Sequence, residues 1–329
     1  MSNNQIRAAI VGLGGWGQLL VKSADDSETV KFTAAVTRTP SKVVEFCTER
    51  DMTLSDTLDD VLGNPDIDAV VIATPHTQHF DQLMAAAKAG KHVYCEKPWT
   101  LDAGEGRTAL KAFADAGLKV AIGHNRRFCP NTQAMTDILN AGKLGTPLHI
   151  DGHMDSNLSP NVGKWRDNRA ESPAGGMTSM GIHVIDMFVH FFGEVADVNT
   201  QSKTIASPID ADDSTIVRMN FKSGCTGHLT TISTTAMLWR IGVFCQGGWV
   251  EMRHHNTLEV FSLADGQSTE VFPGYEFPGV ASIKGALEAF AADINGGPAY
   301  PCTPDQIVHA TAVLAAIIES AQTGKTVSL

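Results

Sequence analysis

Ile6-Arg-Ala-Ala-Ile-Val11 runs straight into Gly12-Leu13-Gly14-Gly15-Trp16-Gly17, and a helical stretch follows from Gln18. A short apolar strand, a G-x-G-x-x-G turn and a helix opening on the last glycine form the entry of a Rossmann dinucleotide-binding unit. The glycines have separate tasks there: a tight turn at Gly12, close backbone approach to a pyrophosphate at Gly14, and close helix packing at Gly17. The helix N-terminus then faces the phosphates with unsatisfied N–H groups.

The alternation continues downstream. Lys31 to Thr37 reads as the second strand, and Ala69-Val-Val-Ile-Ala73 is a continuous apolar run of the kind buried on both faces of a parallel sheet. Phe80, Leu83, Met84 and Ala87 recur at helical spacing, and His92–Cys95 and Leu118–Ile122 are strand candidates flanking an alanine-rich helix over Ala103–Ala116. These elements predict a doubly wound α/β sheet over residues 1–123.

After Gly123 the pattern changes. From Thr146 to Phe272 longer strand candidates are joined at Ser223-Gly224, Gly247-Gly248 and Asp265-Gly266. Val217, Met219 and Phe221 alternate with Ile216, Arg218 and Asn220, which suits an antiparallel sheet with one face in a core. A helix over Pro304–Gln322 stops at Gly324. The expectation is a second, α+β domain over 124–329 with a large, mostly antiparallel open sheet. Its uncovered face should pair with another copy of the chain, giving a homodimer or homotetramer.

Composition narrows the function. The 36 acidic against 25 basic residues give a net charge of -11, which repels nucleic acid and anionic membranes. The six cysteines stand singly, without C-x-x-C or zinc spacing, and His76 with His79 lacks the acidic partners of a metal site, so no metal is expected. Met1-Ser-Asn-Asn-Gln leads directly into the first strand with no signal-peptide character, and no apolar span is long enough for a membrane helix; a cytoplasmic protein is the expectation.

The second strand ends Val36-Thr37-Arg38-Thr39, with no carboxylate to accept from the ribose hydroxyls of NAD. Arg38 offers a guanidinium fork to a 2′-phosphate and Thr37 a hydroxyl. NADP is therefore favoured, with NAD still possible.

Three further motifs carry a resemblance. Ala73-Thr74-Pro75, Glu96-Lys97-Pro98 and Gly123-His-Asn-Arg126-Arg127-Phe128 each follow a predicted strand, and together they resemble the glucose-fructose oxidoreductase and inositol dehydrogenase (Gfo/Idh/MocA) family over essentially the whole chain. The resemblance implies an NAD(P)-dependent dehydrogenase or reductase acting on CH–OH groups of a sugar, polyol, cyclitol or cyclic diol. It places the cofactor on the glycine-rich turn, Thr37, Arg38, Ala73 to His76, His79, Glu96, Lys97 and Arg126. Lys97 becomes the group touching both substrate and nicotinamide ribose. A lysine there is relieved of like-charge repulsion when it releases its proton beside an oxidised nicotinamide.

The segment Gly175-Gly-Met-Thr-Ser179-Met-Gly-Ile-His183-Val-Ile-Asp186 resembles the family's D-x-x-x-H helix, making His183 the second acid/base candidate. Serine stands at position 179 where the family has aspartate, and it cannot hold a charge against an imidazolium. Asp186, one turn on, either orients the ring or faces the core. Trp165 and Arg166 are candidates for the substrate pocket, by stacking and by fork donation, or else a structural tryptophan and a surface arginine. Two other readings stay open: redox elimination on glycosides with a tightly held cofactor, and noncatalytic nucleotide sensing.

Overall fold

The computed structural model describes residues 5–275 and 279–329. The four residues before Gln5, read above as leading into the first strand, lie outside that range. The chain folds as two compact units, one comprising residues up to 125 with 280–304, the other residues 126–279 with 305–329. The chain passes from the first unit to the second after residue 125, and residues 280–304 return to the first.

The first unit is built on β1 (Ile6–Val11), α1 (Gly15–Ser23), β2 (Val30–Val36), α2 (Val44–Thr48), β3 (Thr53–Ser55), α3 (Leu58–Leu62), β4 (Ala69–Ile72), α4 (His79–Lys88), β5 (His92–Cys95), α5 (Ala103–Asp115) and β6 (Val120–Ile122). Its six strands are ordered β3-β2-β1-β4-β5-β6 and all pair in parallel. The order reverses between β1 and β4, and in open α/β sheets the crevice at that reversal, outside the carboxyl ends of the strands, binds the ligand. All four residues of β4 are buried, as a strand with helices on both faces requires. The helix Val280–Ile294, α8 in chain order, packs on this sheet, with Phe290 against Tyr94 of β5 at 6.0 Å between ring centroids.

The second unit contains α6 (Pro130–Asn140), β7 (Pro147–Asn157), α7 (Ile182–Phe192), seven further strands from β8 (Val195–Lys203) to β14 (Gly266–Val271), α9 (Pro304–Thr323) and β15 (Val327–Ser328). Among those seven, β9 covers Ser214–Phe221, β10 Thr226–Ile232, β11 Thr234–Cys245, β12 Gly248–Arg253 and β13 Thr257–Ser262. The nine-stranded sheet is ordered β14-β13-β12-β11-β7-β10-β9-β8-β15. Every neighbouring pair is antiparallel except β7 with β10, which run parallel. Val217, Met219 and Phe221 point inward as their alternation predicts, and with Ile150, Ile241, Val243, Phe188 and Leu314 they form one core between the sheet and helices α6, α7 and α9.

Candidate active site

The residues singled out in the sequence fall into two groups, one in each unit. In the first, Gly12 adopts φ +97°, a region open to glycine but not to side chains, and a Cβ there would come within 2.8 Å of the Ala73 carbonyl oxygen. A Cβ on Gly17 would fall inside the van der Waals shell of the Gly12 carbonyl oxygen, so the helix can start against the turn only on glycine. Gly14 and Gly15 are exposed, with open space above them. No side chain caps the N-terminus of α1, so its first N–H groups are available to an anion, and the turn fits a pyrophosphate. Leu13 is buried beneath, and Trp16 is half-buried.

At the end of β2, Thr37 is half-buried and Arg38 exposed. Ala73, Thr74 and Pro75 form the half-buried loop after β4, where the Thr74 hydroxyl donates to Gln82 Oε1 at 2.6 Å. His76 and His79 behind it are buried and meet edge to face at 5.9 Å. Among the described residues no three His, Cys, Asp or Glu side chains are arranged to hold a metal ion.

Glu96, Lys97 and Pro98 follow β5. The Glu96 carboxylate is buried and packs where Gly123 leaves room, since a Cβ at 123 would approach Glu96 Oε1 to 2.6 Å. Lys97 is half-buried, and its backbone N–H donates to Glu96 Oε2 at 3.3 Å. The loop beyond is anchored: the buried Trp99 indole N–H donates to the Gly106 carbonyl at 3.3 Å and the Thr100 hydroxyl to the Asp102 carbonyl at 2.7 Å. Asp102 itself caps α5 by accepting from the backbone of Gly104 and Glu105 at 2.7 and 2.9 Å, a contact worth about 1 kcal/mol. Burial and the neighbouring Glu96 carboxylate push the Cys95 thiol well above its usual range, so it stays protonated.

The second group sits around α7. Met177–Gly181 is a π-helical turn leading into α7, a feature absent from the sequence reading, and both Ser179 within it and His183 after it are buried. The four-residue spacing suggests one α-turn between Ser179 and His183, whereas the helix is π up to Gly181 and α from Ile182. Asp186 faces the core: Arg127 Nε lies 3.1 and 3.0 Å from its two oxygens and Nη2 2.7 Å from Oδ1, with both side chains almost fully buried. The remaining guanidinium nitrogen of Arg127 donates to Gln306 Oε1 at 2.8 Å and lies 3.4 Å from His190 Nδ1. Burial first, then this nearby cation, lower the His190 pKa to about 4. Arg126 belongs to this second unit, its guanidinium 5.7 Å above the Trp239 ring. Arg166 stacks on Trp165 at 4.0 Å, both half-buried. The Arg127–Asp186 pair spans 59 positions, so no local spacing reveals it; the only sequence signal is an arginine doublet and an intrahelical aspartate.

Comparison with known proteins agrees with this architecture. Residues 6–124 match the profile of the oxidoreductase family with an NAD-binding Rossmann fold, and residues 132–251 match the GFO/IDH/MocA C-terminal domain. An uncharacterised oxidoreductase of Bacillus subtilis is 28% identical over 67% of this chain and 65% of its own. A scyllo-inositol 2-dehydrogenase (NADP(+)) of the same organism is 31% identical over 41% of this chain and 38% of its own. These alignments thus span about two fifths to just under two thirds of the relatives' lengths. Levoglucosan dehydrogenase in complex with NADH and levoglucosan superimposes with a TM-score of 0.89 at 22% identity, covering 98% of this chain and 99% of that one, which shows the same fold. With both halves of the chain matched in order by the two domain profiles, and a parallel dinucleotide-type sheet followed by a nine-stranded mixed sheet, the protein belongs to the Gfo/Idh/MocA family of oxidoreductases.

Proposed function

We propose that the chain is an NADP-preferring dehydrogenase or reductase acting on a secondary alcohol, or the corresponding ketone, of a sugar, polyol, cyclitol or cyclic diol. The observation that carries this reading is the half-buried Lys97 at the carboxyl end of β5, on the same edge of the parallel sheet as the uncapped glycine-rich turn. A nicotinamide, when bound, supplies the hydride chemistry. The chain holds the pyrophosphate at Gly14 and Gly15 and moves the hydroxyl proton at Lys97 Nζ, with His183 as the second acid/base group. Arg38 supports NADP, because it is exposed at the end of β2 with no carboxylate in Val36–Thr39 to repel a 2′-phosphate. The name of the scyllo-inositol relative points the same way.

A panel of sugars, polyols and cyclic diols, followed at 340 nm with NADP and then NAD, tests the proposal. Turnover on at least one such alcohol, faster at low NADP than at equal NAD, is expected. Dinucleotide that co-purifies with the protein, with no net reduction of added NADP on any substrate, would replace this reading with the tightly held-cofactor one.

We also propose that the chain self-associates through the outer face of its second sheet. Phe244 and Ile216 are 39% and 40% exposed there, and Trp249 stacks on Phe261 beside Phe244. Between these apolar side chains lie the ion-paired Asp151, Arg240 and Glu251, and a face of exposed aromatics around paired charges favours a second copy as its cover. Light scattering that shows only monomer at micromolar concentration would rule it out.

A further inference from the structure

We infer that the buried imidazole of His79, together with the Cys95 thiol, positions Lys97 by fixing the backbone on both sides of it. The inference rests on the reading of Lys97 as the proton-handling group. The sheet ladder ends just before this lysine, where the Glu96 N–H donates to the Ile72 carbonyl at 2.8 Å. Beyond that point side chains take over. Cys95 Sγ donates to the Glu96 carbonyl at 3.2 Å, and His79 Nδ1, 2.8 Å from the Pro98 carbonyl, donates there. The carbonyls of the residues on either side of Lys97, Glu96 and Pro98, are thus both held by side chains, and the two holding groups lie 3.5 Å apart, Sγ to Nδ1. His79 is fully buried at the start of α4, so its ring has no freedom to swing away.

A neutral ring has one N–H, so with Nδ1 donating the other nitrogen makes a packing contact with the loop after β4 rather than a second hydrogen bond. His79 Nε2 lies 3.2 Å from the carbonyl of Thr74, in the loop that closes against Gly12. One rigid ring therefore spans the loops after β4 and β5, both of which border the carboxyl-end crevice. A lysine reaches its target through four flexible methylenes, so its ammonium can be delivered reproducibly only from a fixed backbone. Displacement by about 1 Å is enough to cost on the order of a hundredfold in rate.

His79→Phe fills the same space without an N–H, whereas His79→Gln can still reach the Pro98 carbonyl with an amide N–H. The expected result, with dinucleotide held saturating for each protein, is a fall in kcat of about 10- to 100-fold for His79→Phe and recovery of at least about fivefold in His79→Gln. Cys95→Val, which removes the donor to the Glu96 carbonyl, is read in the same way and decides the matter if His79→Phe does not fold. Unchanged kcat in both His79→Phe and Cys95→Val, or no recovery in His79→Gln, overturns the inference.

A second readout needs no turnover. Acetylation of Lys97 is followed by mass spectrometry with and without NADPH. Bound dinucleotide should slow it by about tenfold in the wild type and by less than about threefold in His79→Phe, because a lysine no longer held against the cofactor is left open to reagent. Equal protection in the two proteins overturns the positioning role. If Lys97→Ala keeps wild-type kcat, the catalytic reading of Lys97 falls, and the protection experiment alone decides whether His79 and Cys95 hold it.

Discussion

Replacing Asp186 by asparagine should strongly destabilise the second unit. Asparagine has nearly the volume of aspartate, so the change creates no cavity, but it leaves the Arg127 guanidinium without its counter-charge at a place where the two side chains are 2% and 1% exposed. Three short contacts from Nε and Nη2 are lost or weakened, and the new amide turns N–H groups towards a cation that has only donors. Breaking a buried pair from one side costs about 3–5 kcal/mol. For a unit of this size that corresponds to a drop in its Tm of roughly 6–20 °C. The double variant Arg127→Met, Asp186→Leu removes both charges, and should recover most of that loss. Urea unfolding followed by circular dichroism on the wild type, Asp186→Asn, the single variants Arg127→Met and Asp186→Leu, and the double variant gives the cycle. A cost below about 1 kcal/mol for Asp186→Asn, or single-variant costs that simply add in the double, would refute the argument.

Other expectations follow from the same structure. Arg38→Ala should weaken NADPH binding by about 10- to 150-fold, the equivalent of one charged hydrogen bond of about 1.5–3 kcal/mol, and leave NADH almost unchanged; equal effects on the two, in fluorescence titration, would remove Arg38 from the phosphate site. Lys97→Ala should lower kcat by about a hundredfold with dinucleotide affinity largely kept, and His183→Ala should act in the same direction; a silent His183→Ala in steady-state assays would make that histidine a packing residue. Stability should decline on acidification, because burial, then Arg127, hold His190 at about 4 while burial, then Arg126, hold His255 at about 3. Both folded values lie below the unfolded value near 6.5, so their contribution is whole above about pH 6.5 and shrinks as pH falls towards 4, by on the order of 2 kcal/mol for each at pH 5. Urea midpoints at pH 7.5 and 5 should converge in His190→Gln relative to the wild type; an identical pH dependence in both would exclude His190 as a source.

Features of local period were legible in the sequence. The strand-turn-helix entry, the buried run of β4 and the inward Val217, Met219 and Phe221 all depend on side chains within a few positions of each other. Periodicity tells which face of a strand is covered but not which strand lies beside it, so the parallel β7–β10 pairing among antiparallel neighbours could not be read. The three residues of β3 are too few to show alternation, and the π-turn before His183 leaves no mark distinct from an α-helix. Asp186 is buried against an arginine 59 positions away, a pairing that no local spacing shows. Likewise Cys95 passes in sequence for an ordinary strand residue, and only the three-dimensional approach of His79 shows what its sulfur touches.

The late return of α8 to the first unit has a consequence during synthesis. Tyr94 needs Phe290 as its ring partner, and the Ile122 carbonyl at the end of β6 accepts from the Tyr300 hydroxyl at 2.8 Å. When Asn125 leaves the ribosome all six parallel strands exist, yet the helix that covers Tyr94 is roughly 170 residues away, about 10–30 s at ordinary elongation rates. Throughout that interval the nascent sheet carries an uncovered aromatic patch, and the nucleotide-binding half is completed only after nearly all of the other half has been translated. A fragment ending near residue 125 should for the same reason emerge as a chaperone client rather than as an independent module, even though its sequence holds every strand of the dinucleotide sheet.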